Sequence, residues 1–288
     1  MQSTLSRSAD PSPVAVTRPK SVAVRAASAG SAIAWPQKYQ VFGVEITAAE
    51  HDAVCDAIMA AASERASAAV SAFAVHALVE AATSRELARK VNRFAAVTPD
   101  GQPVRWALRW LHGRKLPSTV QGYELMQRLC TRAVASGISI YLYGSSEATL
   151  AALKLNLEEA YPGLIVAGVE SPPFRPLTPE EDAAMVERVN ASGAGLIFVG
   201  LGCPKQDHFA ADHLDRILGV QVCIGAAFDF LAGTKPMAPM WMQKTGTAWI
   251  YRLFKEPQRL WKRYLLTNTS FLKRFCGELI RRRVLGTR

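Results

Sequence analysis

The segment Thr98-Pro99-Asp100-Gly101-Gln102-Pro103 sets a carboxylate between the apolar run Ala95-Ala96-Val97 and the helix-like Arg105-Trp106-Ala107-Leu108. A strand-to-helix junction of that kind holds a carboxylate in one orientation, as a general base requires. Pro-Asp-Gly is also the composition of an ordinary turn, and the segment alone fits either reading. A second candidate is the turn Leu201-Gly202-Cys203-Pro204, which follows the apolar run Gly195–Gly200 and precedes a helix from about Lys205. Glycines there let backbone N–H groups approach an anionic ligand at the positive end of a helix, although tight turns also use glycine for conformational reasons. Gly144-Ser145-Ser146 is a similar turn. Asp229, between Phe228 and Phe230, needs polar partners if buried, and a turn or cap role suits it equally.

Several other chemistries are set aside. Neither glycine turn contains G-x-G-x-x-G or G-x-x-x-x-G-K-[ST], which demotes dehydrogenase and P-loop readings, and no G-x-S-x-G elbow supports a serine hydrolase. His51, His76, His112, His208 and His213 are scattered, and no protein-built metal site is expected. The five cysteines (Cys55, Cys130, Cys203, Cys223, Cys276) are odd in number and lack a C-x-x-C pair. That usage argues against a disulfide framework and a zinc site, and suits a reducing cytosol.

The elements that must position these residues alternate between strand and helix. Val41–Val44 reads as a short strand and Ala48 to about Ala62 as a helix; an apolar run from Ala69 through Val75 leads into a helix over Ala77–Asn92. Ile138–Tyr143 is a β-branched and aromatic strand, followed by the helical pattern Leu150, Leu153, Leu157. Leu164–Ala167 is the next strand, and beyond a Pro-rich loop Thr178, Pro179 and Glu181 have the spacing of a capping box. Gly195–Gly200 and Val220–Ala226 are further strands. Strands and helices at this spacing predict an α/β, Rossmann-like, mostly parallel sheet with flanking helices, its post-strand loops gathered at the carboxyl edge where ligands bind. Beyond Pro239 the chain reads as helical, interrupted at Pro257 and near Thr267–Ser270.

The charge is unevenly placed. Of 288 residues, 49% are apolar, enough to build a core, and the formal net charge is +10. From Gln243 to Arg288 there are twelve basic residues against Glu256 and Glu278, which accounts for the whole excess. A protein that coats nucleic acid through general basicity is therefore disfavoured. No apolar run reaches the roughly 20 residues of a spanning helix. Three regions are expected: a disordered tail over residues 1–34, rich in Ser, Ala and Pro; an α/β core over 35–238; and a basic helical appendage over 239–288.

Six blocks in order give the chain a resemblance to the bacterial WecG/TagA/CpsF glycosyltransferases. They are Thr98–Pro103 (TPDGQP), Tyr141–Ser145 (YLYGS), Phe198–Gln206 (FVGLGCPKQ), Gly225–Gly233 (GAAFDFLAG), Ala238–Gln243 (APMWMQ) and Tyr251–Tyr264 (YRLFKEPQRLWKRY). The resemblance implies a Rossmann-like core with a carboxyl-terminal helical appendage. It also implies inverting transfer of a hexose or N-acetylhexosamine from a UDP-sugar to a polyprenyl-diphosphate-linked sugar, without metal or cofactor, in cell-surface polysaccharide or exopolysaccharide synthesis. Asp100 becomes the catalytic base, with Gly101 and Gln102 beside it as substrate-binding residues. Gln206 and Asp229 become nucleotide-pocket residues, and Gly200, Gly202 and Gly144 sit in turns that admit the diphosphate. His76, in Val75-His76-Ala77, faces the donor sugar or serves as a core or surface histidine. Thr119 stands where the family usually has an arginine, so phosphate stabilisation from that position is lost or supplied elsewhere. That departure keeps a catalytically inert nucleotide-binding or membrane-scaffold protein as the alternative.

The basic terminus carries apolar pairs about four residues apart: Leu253-Phe254, Leu260-Trp261, Tyr264-Leu265, Phe271-Leu272, Phe275-Cys276 and Leu279-Ile280. Cations fall between them, a pattern suited to an anionic membrane surface; it equally suits packing on the core or a homo-oligomer interface. The resemblance favours the membrane, on the inner face of the cytoplasmic membrane, because the acceptor is lipid-linked. It also implies that Arg252, Arg259 and Arg263 bind the diphosphate of donor or acceptor. No nucleic-acid partner is expected.

Overall fold

The computed structural model describes residues 33–285. It opens on an antiparallel hairpin of β1 (Lys38–Val41) and β2 (Val44–Thr47). The single strand expected over Val41–Val44 is corrected, because the chain reverses within it. Phe42 and Gly43 take φ of 57° and 87°, the two positive values of a tight hairpin turn. Phe-Gly lacks the usual Asn-Gly signal; the Phe42 ring packs against Phe271, 5.5 Å between centroids.

Next come α1 (His51–Ser63), β3 (Ala68–Phe73), α2 (Val75–Thr83), α3 (Arg85–Asn92) and β4 (Ala96–Pro99). The helix expected over Ala77–Asn92 is two helices. The Ser84 hydroxyl accepts the Leu87 N–H and caps a new helix instead of continuing the first. Then follow α4 (Gln102–His112), α5 (Gly122–Ser136), β5 (Ile140–Gly144), α6 (Glu147–Ala160), β6 (Val166–Glu170), α7 (Pro179–Ala191), β7 (Leu196–Gly200), α8 (Lys205–Asp212) and β8 (Val220–Cys223). The capping box of α7 is formed, with Glu181 N–H donating to Thr178 Oγ1 and Thr178 N–H to Glu181 Oε2. The strand expected through Ala226 ends at Cys223, and Gly225, at φ 52°, turns the chain into α9 (Ala227–Leu231). The helices α10 (Met240–Thr245), α11 (Ala248–Lys255) and α12 (Pro257–Leu285) complete the described chain.

Six strands form one parallel sheet in the order β4-β3-β8-β7-β5-β6. Successive residues of β7 go to opposite faces: Leu196 and Phe198 join one apolar cluster, Ile197 and Val199 the other. Because helices cover both faces, such strands read as unbroken apolar runs. This is the Rossmann-like α/β fold expected. The Val97 N–H donates to Thr47 Oγ1 at 2.9 Å and ties the hairpin to the sheet.

The interruption expected near Thr267–Ser270 is absent, and α12 runs unbroken for 29 residues. Buried Thr267 turns its hydroxyl onto the Arg263 carbonyl, 2.8 Å away, so it does not divert a backbone N–H from the helix. In each of the six apolar pairs the first member is buried or half-buried and the second is exposed. Phe271, Phe275 and Leu279 pack on the core, whereas Trp261, Leu265, Leu272 and Ile280 face outward. No described helix is long and apolar enough to cross a membrane. The expected tail over residues 1–34 lies outside the described residues, except for Ile33 and Ala34.

Candidate active site

The carboxyl ends of β3, β4, β7 and β8 open into a cavity of about 870 Å³, closed on its far side by α11 and α12. Asp100 stands at its wall, immediately beyond β4. Its own N–H donates to the Phe73 carbonyl at 2.9 Å, and the preceding Pro99 carbonyl accepts from Val120 N–H at 3.0 Å. The Gly122 N–H, at the start of α5, donates to the carboxylate. Burial pushes the Asp100 carboxyl up to about 6, against the opposing pull of Arg252 and of that N–H. The group is ionised at neutral pH yet poorly solvated, which is the condition of an effective base.

Gly101, at φ 130°, turns the chain from Asp100 into α4, and Gln102 there accepts a hydrogen bond from Arg105 at 3.0 Å. Across the cavity, Gly202 N–H donates to the Gln206 side-chain oxygen at 3.1 Å, while Gln206 N–H donates to the Gly202 carbonyl at 2.9 Å. A Cβ added to Gly202 meets nothing within 4 Å, so the space beside this turn is open. Gly200 and Gly144 have a packing reason as well. A Cβ on Gly200 would stand 2.4 Å from the Phe228 ring, and one on Gly144 would stand 2.7 Å from the Gly200 carbonyl carbon. Of the site residues the resemblance implies, Gly144 alone does not line the cavity; its neighbour Ser145 does.

Asp229 has its polar partner in Lys235, whose Nζ lies 2.7 Å from Oδ2. Arg252 reaches the cavity from α11 with its guanidinium 5.4 Å from the Phe230 ring centroid. Arg259 and Arg263 reach it from α12, despite the break at Glu256, and Arg259 is paired with Glu256. His76 lies in the first turn of α2, with Nδ1 3.7 Å from Glu80, beyond hydrogen-bond range. Burial, with Arg263 adding to it, lowers the His76 pKa and keeps the imidazole neutral at pH 7. His76 Nδ1 and Arg263 Nε are buried polar atoms without a hydrogen-bond partner, a deficit that a polar ligand in the cavity relieves. Thr119 is in the wall and accepts from Gln121 at 3.2 Å.

Some lining residues carried no sequence signal. Lys235, Trp106, Trp249 and Asn268 come from four separate elements or loops and meet only through the fold. Behind the wall, fully buried Asp207 accepts from Ser71 Oγ at 2.7 Å and joins α8 to β3; burial pushes its carboxyl up to about 6. Among the described residues, no group of three or more His, Cys, Asp or Glu is arranged to hold a metal.

Fold and site together define a Rossmann-like α/β protein with a cavity at the carboxyl edge of its sheet, lined by the carboxylates Asp100 and Asp229 and by four cationic side chains. Residues 39–285 match the model of the Glycosyl transferase WecG/TagA/CpsF family, and the chain belongs to that family. It is a glycosyltransferase of cell-wall polysaccharide synthesis.

Proposed function

We propose that the protein transfers a hexose or N-acetylhexosamine, such as glucose or N-acetylmannosamine, from a UDP-sugar to a polyprenyl-diphosphate-linked sugar, with inversion and without a metal. The observation that carries this reading is Asp100, a carboxylate raised to about 6 and set in a cavity also lined by Arg252, Arg259 and Arg263. As the acceptor hydroxyl oxygen bonds to the anomeric carbon, its proton passes to Asp100. The bond from that carbon to the UDP oxygen breaks with its electron pair, and UDP leaves from the opposite face of the sugar. The arginines then receive the charge that develops on the diphosphate. With Thr119 unable to supply a cation, Lys235 and the three arginines are the positive groups of the cavity wall. Neutral His76 suits a hydrogen bond to a sugar hydroxyl. The product chain serves cell-surface polysaccharide or exopolysaccharide synthesis, and the protein works on the inner face of the cytoplasmic membrane, where the acceptor is anchored.

A panel of UDP-sugars, offered with a synthetic lipid-diphosphate acceptor in the presence of a chelator, tests this reading. One donor is expected to be consumed with inverted product stereochemistry, and Asp100→Asn to lose at least a hundredfold of the rate, the usual scale of general-base catalysis. Full activity of Asp100→Asn overturns the assignment of the base. Donor binding without transfer, over the whole panel, favours an inert nucleotide-binding protein.

A further inference from the structure

The helix that begins beside Asp100 has an outer face the proposed reaction does not use. Trp106 and Trp110, one turn apart on α4, are 50% and 61% exposed. Between Gly101 and Tyr123 the chain carries Arg105, Arg109, Arg114 and Lys115 and no acid, a local basic stretch within a core whose net charge is −3. The Arg109 guanidinium lies 5.6 Å from the Trp110 ring centroid, so cation and indole share one surface. That surface is continuous with α12. Trp106 and Leu272 both line the cavity, and the Arg282 side chain donates to the Leu111 carbonyl at 2.6 Å.

Exposed indoles flanked by cations, with no acid among them, match the interface of an anionic bilayer, where the ring sits at headgroup level and the cations meet lipid phosphates. We propose that α4 is a second membrane-contact element, with Trp106 and Trp110 seated in an anionic lipid surface next to the mouth of the cavity. The inference rests on the lipid-linked acceptor proposed above and adds to it: bilayer contact on both α4 and α12 sets the orientation of the cavity mouth, which contact through one helix leaves free to roll. Trp106 also lines the cavity, so Trp110 is the residue that reports membrane contact alone.

The test uses the full chain, because removing α12 from Phe271 onward also strips Phe271, Phe275 and Leu279 from the core. Binding is measured by co-sedimentation with phosphatidylcholine vesicles that contain or lack phosphatidylglycerol. Arg109→Gln is expected to weaken binding to the anionic vesicles about fivefold, the equivalent of roughly 1 kcal/mol for one cation at such a surface. Trp110→Ala is expected to weaken it at least as much and Trp110→Phe to restore part of the loss, with thermal unfolding and turnover of a water-soluble short-chain acceptor unchanged. Unaltered vesicle binding by both Trp110→Ala and the Trp106→Ala/Trp110→Ala pair overturns the proposal. So does a change confined to oligomer mass, which assigns the face to a second copy, or a change confined to oligonucleotide binding. Absence of transfer to the soluble acceptor by the unaltered protein, with Trp110-dependent vesicle binding intact, removes the proposed lipid-diphosphate sugar acceptor and leaves the membrane face standing.

Discussion

Gly246 lies against Gln102 with no space between them: a Cβ built on Gly246 would stand 2.4 Å from Gln102 Cγ. Gly246 ends α10 in the left-handed region at φ 75°, and Gln102 opens α4 two residues after Asp100. The carboxyl-terminal helices are thereby seated on the segment that carries the candidate base. Gly246→Ala has both to strain the backbone, at about 1–2 kcal/mol, and to displace Gln102, which carries a bond from Arg105. The expected outcome is a modest fall in melting temperature and a larger fall in kcat/KM. A fall in stability with kcat/KM intact would remove the coupling between α10 and the Asp100 segment.

Asp100 makes the pH dependence of activity specific. The base works ionised, so kcat/KM is expected to rise with pH through about 6 and then level off. Arg252 pulls that value down, so Arg252→Gln is expected to move the midpoint upward as well as slow the reaction. An unmoved midpoint in Arg252→Gln, read from the pH profile, excludes the guanidinium as a neighbour of the base.

The same residue is expected to cost stability. Its folded pKa, about 6, lies above the ordinary aspartate value of 3.8. Between those values the unfolded chain releases its proton while the folded chain keeps it, so stability falls as pH rises through that window and stays lowered above it. Two units correspond to roughly 2–3 kcal/mol, and Asp100→Asn is expected to be more stable than the parent at pH 8 but not at pH 3. Melting curves at the two pH values check the sign.

Asp207 obeys the same linkage without touching the cavity. Its carboxyl is likewise raised to about 6 by burial, so Asp207→Asn, which can still accept from Ser71, is expected to gain stability at pH 8 and little at pH 3. Activity is expected to stay near that of the parent. Destabilisation at pH 8 would show that the bonds from Ser71 and the Cys203 thiol to the ionised carboxylate outweigh the cost of burying it.

The glycines of the two turns are expected to separate by cause. Gly144→Ala sets a Cβ 2.7 Å from the Gly200 backbone at φ 116° and is expected to destabilise the fold strongly. Gly202→Ala, at φ 76° with open space around the added carbon, is expected to cost about 1–2 kcal/mol and to impair donor binding instead. Melting temperature and donor affinity, measured on both variants, distinguish the two.

How far the chain could be read without coordinates follows from whether a signal was local. The strands Ile140–Gly144 and Leu196–Gly200 were legible because residues buried on both faces must all be apolar. The Thr178 cap was legible because its partner is three residues away. The Phe42–Gly43 turn was not, since what holds Phe42 is Phe271, far along the chain. The continuity of α12 was not, because buried Thr267 spends its hydroxyl on the helix's own carbonyl, whereas its residue type alone points to a break.

By itself the sequence determined the parallel α/β class, the carboxylate at a strand-to-helix junction and the segregation of the net charge, all of which depend on neighbours within a few residues. Only the tertiary structure decided that Asp100, Gly202, Asp229 and the three arginines face one cavity, that Lys235 answers Asp229, and that the members of each apolar pair of the terminal helices face opposite ways. Those facts depend on which side chains from distant elements exclude water together. Burial of that kind, not residue type, also set the Asp100 carboxyl near 6.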